Sequence, residues 1–381
     1  MAIVKFGDIV RDVKINVDRT HNPYEHYVAG DHMDSEDLTI HRFGNFATDD
    51  VGPAFTRIFK PGQILYGSRR TYLKKVAVAD FEGICANTTF VLESKDESIF
   101  DTRLLPFIML SDDFTRWSVS HSKGSTNPYV LFSDLADYEF SLPPLSEQKV
   151  LAEKLWAAYR LKESYKKLLA ATEEMVKSQF IEMFGDAVNG SKWECKLLKE
   201  LVHQECPISY GIVQPGDGEE EGIPVVRPVD LKNGQEVYRE GLKLTTEKIS
   251  NSYKRTILRG GELLLCVRGT TGIVGIASPE LQGCNVTRGI TPLFFKDNIN
   301  RTYILGALLS PPIQKYISNY TIGSTLKNIN MDKVRDMPIP LPPIEKQQEF
   351  ETIYKQADKS EFELRKSIES IDAVIKSLIN Q

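Results

Sequence analysis

Two stretches of the chain place apolar side chains at alternating spacings of three and four, and they are its longest regular signals. The first runs Leu151, Leu155, Ala158, Lys162, Tyr165, Leu169, Thr172, Val176, Gln179, Met183. The second runs Phe350, Tyr354, Ala357, Glu361, Leu364, Ile368, Ile371, Ile375, Leu378. A spacing of 3.5 held over several heptads predicts coiled-coil helices. A helix of about 36 residues is roughly 54 Å long at 1.5 Å per residue, so an apolar seam of that length needs a partner along it. The expected contacts are Leu151, Leu155, Tyr165, Leu169 and Val176 on one helix, and Phe350, Tyr354, Leu364, Ile368, Ile371 and Ile375 on the other. Each helix follows a Leu-Pro-Pro step, Leu142-Pro143-Pro144-Leu145 with Gln148 and Leu341-Pro342-Pro343-Ile344 with Gln347. Proline cannot continue a helix backward, and Ser146 and Glu147 offer a cap and a first-turn anion.

Ahead of each helix the period changes. Short strand-like runs (63–66, 76–79 and 88–92, then 262–265, 273–277 and 293–295) are broken by glycine and proline and followed by helical segments at 104–110 and 113–120, then 302–309 and 313–320. A constant offset of 199 relates Gly62 to Gly261, Arg69 to Arg268, Gly124-Ser125-Thr126 to Gly323-Ser324-Thr325, and Leu142 to Leu341. An internal repeat of this length means one domain written twice. The expected organisation is a first head over 1–141, a spacer helix over 142–185, a second head over 186–340 and a second helix over 341–381. The short step from Phe184-Gly185-Asp186 to Trp193 leaves little chain for a return, so the helices are expected to run antiparallel. The predicted fold class is mixed α/β (α+β), with an antiparallel coiled coil and internal pseudo-two-fold symmetry.

The composition suits two domains plus connectors: 381 residues, 41% hydrophobic and 26% charged. No apolar run approaches the roughly 18 to 20 residues that span a bilayer, and the start lacks the basic and apolar regions of a signal peptide, so a cytoplasmic location is expected. Five cysteines without CxxC spacing read as ordinary buried thiols rather than disulfides or a zinc site. The net charge of −5 gives no bulk attraction to nucleic acid, so DNA binding needs cations gathered on one face. No phosphate loop, methyl-donor loop or HExxH is present, and six scattered histidines suggest no catalytic or metal set. Asn22-Pro23-Tyr24 and Asn127-Pro128-Tyr129 lack the second proline of a methyltransferase motif and read as turns.

The doubled Leu-Pro-Pro with its glutamine and long helix, the Gly-Ser-Thr about 18 residues upstream, and the break Met183-Phe184-Gly185-Asp186 before Trp193 resemble the specificity subunits of type I restriction–modification complexes. The resemblance covers essentially the whole chain. It implies two target-recognition domains, each reading one half of a bipartite double-stranded DNA site, with the helices as a ruler. It also implies two methylation subunits as partners and restriction subunits in the assembled complex. S-adenosylmethionine, ATP and magnesium are then expected only on those partners, and no catalytic residue or metal on this chain.

Base readout needs paired donors or acceptors on loops that reach a groove, whereas phosphate needs only cations and amides. The first head offers Gly67–Lys75, with Arg69, Arg70, Thr71, Tyr72 and Lys74; the second offers the less basic Arg268, Thr270 and Thr271. A solvated hairpin with a structural arginine is the plainer reading. Lys123 and Ser125 pair with Ser324 and Lys327 in the Gly-Ser-Thr stretches, which suit a phosphate and equally a structural turn. Arg227 and His32 lie in loosely similar early segments and are candidate readers or core-edge residues, while the acidic run Glu219-Glu220-Glu221 is expected to face away from DNA. On the helices, Trp156, Tyr159 and Phe180 are candidates for docking the methylation subunit, or for widening the seam. The rival to DNA recognition is a non-catalytic scaffold holding two protein ligands apart.

Overall fold

The structure, a computed structural model, describes residues 2–18, 21–216, 221–324 and 326–380. The chain forms two compact units, Met1–Lys166 with Lys366–Gln381, and Lys167–Arg365. Each contains one head, the start of one long helix and the end of the other.

In the first unit, the run Ile64–Gly67 is apolar and bounded by Gly62, whose φ of +87° makes the entering turn. It pairs antiparallel with Val76–Val78 and Thr89–Ser94, and Val10–Asp12 completes the sheet. Period-2 alternation sends Ile64 and Tyr66 into a core with Phe6 and Phe114, and Leu65 into a second core with Val28, Met33 and Phe59. The second sheet sets His26–Val28 parallel to Gly83–Ala86. The second unit repeats this frame. Leu263–Cys266 pairs with Val274–Ala277 and Ile290–Leu293, its residues alternating between two cores, and Ile223–Val226 runs parallel to Asn285–Val286. The expected strand at 293–295 ends at Leu293, because Phe295 leaves the sheet to bridge Val202. The helices expected at the end of each head form as Leu105–Leu110 and Asp112–Ser120, then Arg301–Leu309 and Pro311–Tyr320.

Each head closes on itself where its helix begins. Ala2–Lys5 pairs antiparallel with Glu139–Leu142, and Cys195–Leu197 with Pro338–Pro340. The long helices then run over Leu145–Phe184 and Ile344–Ile379. Ser146 lies inside the first turn rather than at the cap, because the Pro144 carbonyl already accepts the Glu147 and Gln148 amides. In the first unit the start of the central helix meets the end of the distal one, with Lys162 donating to Asp372. In the second the ends are exchanged, with Arg365 donating to Glu173 at 3.0 Å. The helices pack together antiparallel.

The heads cover much of the seam. Leu155 and Ile375 are buried in the core of the first head, with Leu151 and Ile371 packed on its edge. Val176 and Phe350 are buried in the core of the second, with Tyr354 beside them. Between Lys162 and Val176, and between Ala357 and Ile375, no position is fully buried, so Tyr165, Leu169, Leu364 and Ile368 are half-covered. A two-helix seam leaves its flanks to solvent. The three docking candidates are head-to-helix anchors instead. Trp156 Nε1 donates to the Arg103 carbonyl at 2.9 Å and its ring meets Phe107 edge-on. Phe180 is 1% exposed against Phe184, Tyr303 and Phe350. Tyr159 is buried and donates to Asp37 at 2.7 Å. Large apolar side chains one turn from a domain are claimed by that domain first.

The repeated glutamine is the joint. Gln148 is 1% exposed; its Nε2 donates to the carbonyls of Pro143 (2.9 Å) and Ile99 (3.0 Å), and its Oε1 accepts the Asp101 amide at 2.9 Å. Gln347 repeats this with the Pro342 carbonyl and the Asn300 amide at 2.8 and 2.9 Å. A buried amide so satisfied fixes its neighbours, since losing it strands backbone groups away from water. The first head adds a second brace. Burial alone raises the Asp37 carboxyl, but the Tyr159 hydroxyl, the Thr39 amide and the Lys166 ammonium outweigh it and hold it at about 2.

Two measurements check this joint. Gln148→Ala and Gln347→Ala are each expected to destabilise the chain by about 1–3 kcal/mol in urea unfolding, without loss of strand content. Because the Asp37 value is depressed, its stabilisation is present above the ordinary 3.8 and is lost as pH falls through about 2. The wild type is therefore expected to lose stability over that acid window, and Asp37→Asn to show a shallower acid limb from a lower starting stability.

Candidate nucleic-acid interface

The two candidate segments of each head are separate in sequence and joined in space. In the first unit the strand Ile64–Gly67 ends, and the next residues bond to the stretch after the glycine turn. Arg69 forms an antiparallel bridge with Tyr129, which also bridges Lys123. The Arg70 amide donates to the Pro128 carbonyl at 2.7 Å, and the Val130 amide to Ser68 at 2.9 Å. In the second unit Arg268 bridges Asn328, the Gly269 amide donates to Lys327 at 2.8 Å, and the Ile329 amide to Val267 at 3.0 Å. Every one of these partners is related by the offset of 199. Gly124 and Gly323, at φ +86° and +98°, make the turns that bring the second segment back. The Asn-Pro-Tyr stretch is thus part of this structural return.

The side chains divide by what they touch. Arg69 and Arg70 are exposed, and neither has a side-chain partner among the described residues. Tyr72, 56% exposed, and Tyr129, 41% exposed, flank them. Ser125, Thr270, Ser324 and Lys327 are exposed, and Arg268 is half-buried at the bridge. Lys123 keeps half its side chain in solvent while pairing with Asp134 at 3.0 Å.

Other candidates serve the fold. Thr71 is 3% exposed and faces the Ser122 hydroxyl at 3.5 Å, so it positions the loop. Its neighbour, the buried Tyr66 phenol, is pushed up to about 12 by burial. Thr271 meets the Thr321 hydroxyl at 3.1 Å in the same role. Lys74 turns inward, with its ammonium on the Leu110 carbonyl (3.1 Å), Asp112 (3.0 Å) and Glu36 (3.4 Å). Arg227 spends its fork on Asp230 at 3.1 and 2.9 Å, which braces the turn Pro228–Asp230 and lifts the guanidinium further above its ordinary range. His32 accepts the Ala29 amide at 3.2 Å.

Arg288 was not singled out from sequence. It is exposed beside Gly289, whose carbonyl accepts the Val267 and Arg268 amides, and its guanidinium lies over the Tyr210 ring at 5.8 Å. Only the strand pairing reveals it. Thr325 and the acidic Glu219 and Glu220 lie outside the described residues; Glu221 is exposed.

Four of the cysteines are buried, Cys195 is half-buried, and all five are free; burial lifts the Cys85 thiol to about 12. Among the described residues the single group with metal-ligand chemistry is Asp37, His41 and Glu163, with donor atoms within 4.8 Å. The Lys166 ammonium already sits on both carboxylates at 2.9 Å, so the group is an ion-pair brace. No described helix is long and apolar enough to cross a membrane. Because Lys74 serves internal acceptors, Lys74→Met is expected to lower stability by about 1–3 kcal/mol in urea unfolding.

Comparisons with known proteins agree with this organisation. The chain is 26% identical over 274 residues to the type I restriction enzyme EcoBI specificity subunit of Escherichia coli, covering 64% of this chain and 57% of that protein. It thus spans little more than half the length of that relative. It is 23% identical over 317 residues to the MjaVIII specificity subunit of Methanocaldococcus jannaschii, covering 78% of this chain and 73% of that one. In fold it resembles a chain from a structure of the type I R-M system described for complex assembly and conformational transition. There the TM-score is 0.57 at 20% identity, over 99% of this chain and 96% of that one. The profile of the type I restriction modification DNA specificity domain matches residues 34–173 and 191–371, reaching both heads and both long helices, and the chain belongs to that family.

Proposed function

We propose that the chain is the DNA-recognition component of a type I restriction–modification complex and carries no catalytic centre. Each head reads one half of a bipartite duplex site, and the antiparallel helices set the gap and dock two methylation subunits. Restriction subunits join the assembled complex in the cytoplasm, and S-adenosylmethionine, ATP and magnesium act on the partner subunits. The observation that carries this reading is the repeated joined loop. In both units an arginine, Arg69 or Arg268, stands on a backbone bridge beside exposed hydroxyls and cations. In the first head most other described cations have carboxylate or carbonyl partners. A chain of net charge −5 that leaves guanidinium groups unpaired at the same place in two heads is built to meet an anion there.

The family match supports the class of target, and the differing neighbours of the shared arginine support two different half-sites. Shared cations suit phosphate, which carries no sequence, while unlike side chains beside them suit base edges. The scaffold reading is kept apart by one property. Phosphate contacts release counterions, so duplex binding weakens steeply as salt rises. The chain reconstituted with its methylation subunit is expected to retard duplex DNA with a steep salt slope and to methylate adenine at a two-part site, while the chain alone transfers no methyl group. Salt-independent behaviour, or methyl transfer by the chain alone, would overturn the reading.

A further inference from the structure

Three described non-glycine residues adopt positive φ, and two of them lie in the first head's joined loop: Arg70 at 51° and Lys74 at 48°. Both are left-handed, with ψ of 54° and 47°, and they bracket the short turn Thr71–Leu73. Side chains other than glycine, asparagine and aspartate avoid this region because Cβ crowds the backbone.

The second head shows what the frame requires. The Arg70 amide bonds to Pro128 as the Gly269 amide bonds to Lys327, so Arg70 and Gly269 are equivalent. On the returning strand Tyr66 pairs with Val76 as Leu265 pairs with Val274, which makes Lys74 equivalent to Gly272. Gly269 and Gly272 have φ of +87° and +95°. Both left-handed positions are glycine in one head and cationic in the other. A Cβ added at Gly269 meets no atom within 4 Å, so only the backbone angle, not crowding, disfavours a side chain there.

Lys74 has an internal reason for its strain, since its ammonium is held by Leu110, Asp112 and Glu36. Arg70 has none: its guanidinium is exposed and has no hydrogen-bond or ion-pair partner among the described residues. Strain without an internal partner, at an exposed position of a recognition loop, points outward. The neighbouring arginine, Arg69 or Arg268, is common to both heads and suits the common ligand, phosphate. A guanidinium present in only one head suits what differs between half-sites, the bases.

We propose that Arg70 is a specificity-determining residue of the first head, its planar fork reading a guanine edge in the first half-site. This rests on the DNA-recognition reading above. Arginine's five donors in a rigid fork match guanine O6 and N7, and lysine cannot reproduce that pairing.

The test uses the full chain assembled with its methylation subunit, selecting from a duplex library randomised across both half-sites. The wild type is expected to enrich a guanine at one position of the first half. Arg70→Gly is expected to reduce that preference roughly tenfold or more, leaving the second half-site unchanged. Its thermal midpoint should be no lower than wild type, because glycine accepts the angle. Arg70→Lys, which keeps the charge, should lose the guanine preference and retain the salt slope, and Arg70→Asn, tolerant of the left-handed region, should behave as the glycine variant. A variant that retains the first half-site preference, weakens all sequences uniformly, or unfolds at lower temperature overturns the role of Arg70. A wild-type assembly that enriches no sequence refutes instead the function on which it rests.

Discussion

Two buried glutamines hold the design together. Gln148 and Gln347 lie in the first turn of a long helix, where backbone amides have no intrahelical acceptor and the chain has just left a sheet. Each side chain spans that break: its amide nitrogen binds the proline carbonyl behind it and its oxygen takes an amide from the head. Proline ahead of the turn fixes φ, and the glutamine fixes the direction of exit. The antiparallel strand that closes each head, Ala2–Lys5 or Cys195–Leu197, begins at this same joint. A head so fastened carries its joined loop at a defined angle to its helix.

From that joint the cores follow. Leu155, Tyr159 and Ile375 belong to the core of the first head, and Phe180, Phe184 and Phe350 to that of the second. In each unit, then, two helix segments are part of the domain rather than a stalk attached to it. The half-covered stretches between them carry charge: the Glu361 carboxyl is raised by burial and by Glu173, with Arg365 bonded to both. Packing complementarity is local to each unit. Gly306 leaves room for the Phe350 ring, while its counterpart at the same offset, Phe107, fills the space against Trp156.

The proposed recognition surface rests on a different constraint, the backbone bridge between two loops. That bridge is the same in both heads, and it demands a left-handed residue immediately after the shared arginine. One head supplies glycine and the other arginine, so a common frame carries unlike chemistry. The neighbouring hydroxyls follow the frame, Thr71 with Ser122 and Thr271 with Thr321, and are consumed in holding it.

Much of this was legible in the chain. Periodicity located both helices within a few residues, the offset of 199 announced the repeat, and apolar runs placed the central strands of each head, while strands such as His26–Val28, Phe55–Phe59, Gly83–Ala86 and Ile223–Val226 were not legible. The family resemblance rested on those same motifs, and the match over both halves bears it out. What local pattern did not carry was which polar side chains are occupied. Lys74 and Arg227 stood as candidate DNA contacts, Arg227 equally as a core-edge residue, and only long-range and turn geometry pairs them with Asp112 and Asp230. Trp156, Tyr159 and Phe180 stood equally as docking and as seam residues because a helical wheel does not know which domain lies beside it. Sequence by itself determined the repeat, the long helices and the order of heads and helices, since these depend on spacing along the chain. Tertiary structure alone joined the two loops, revealed Arg288 and set the backbone angle at Arg70, because hydrogen bonds between distant segments fix those positions and leave no periodic trace.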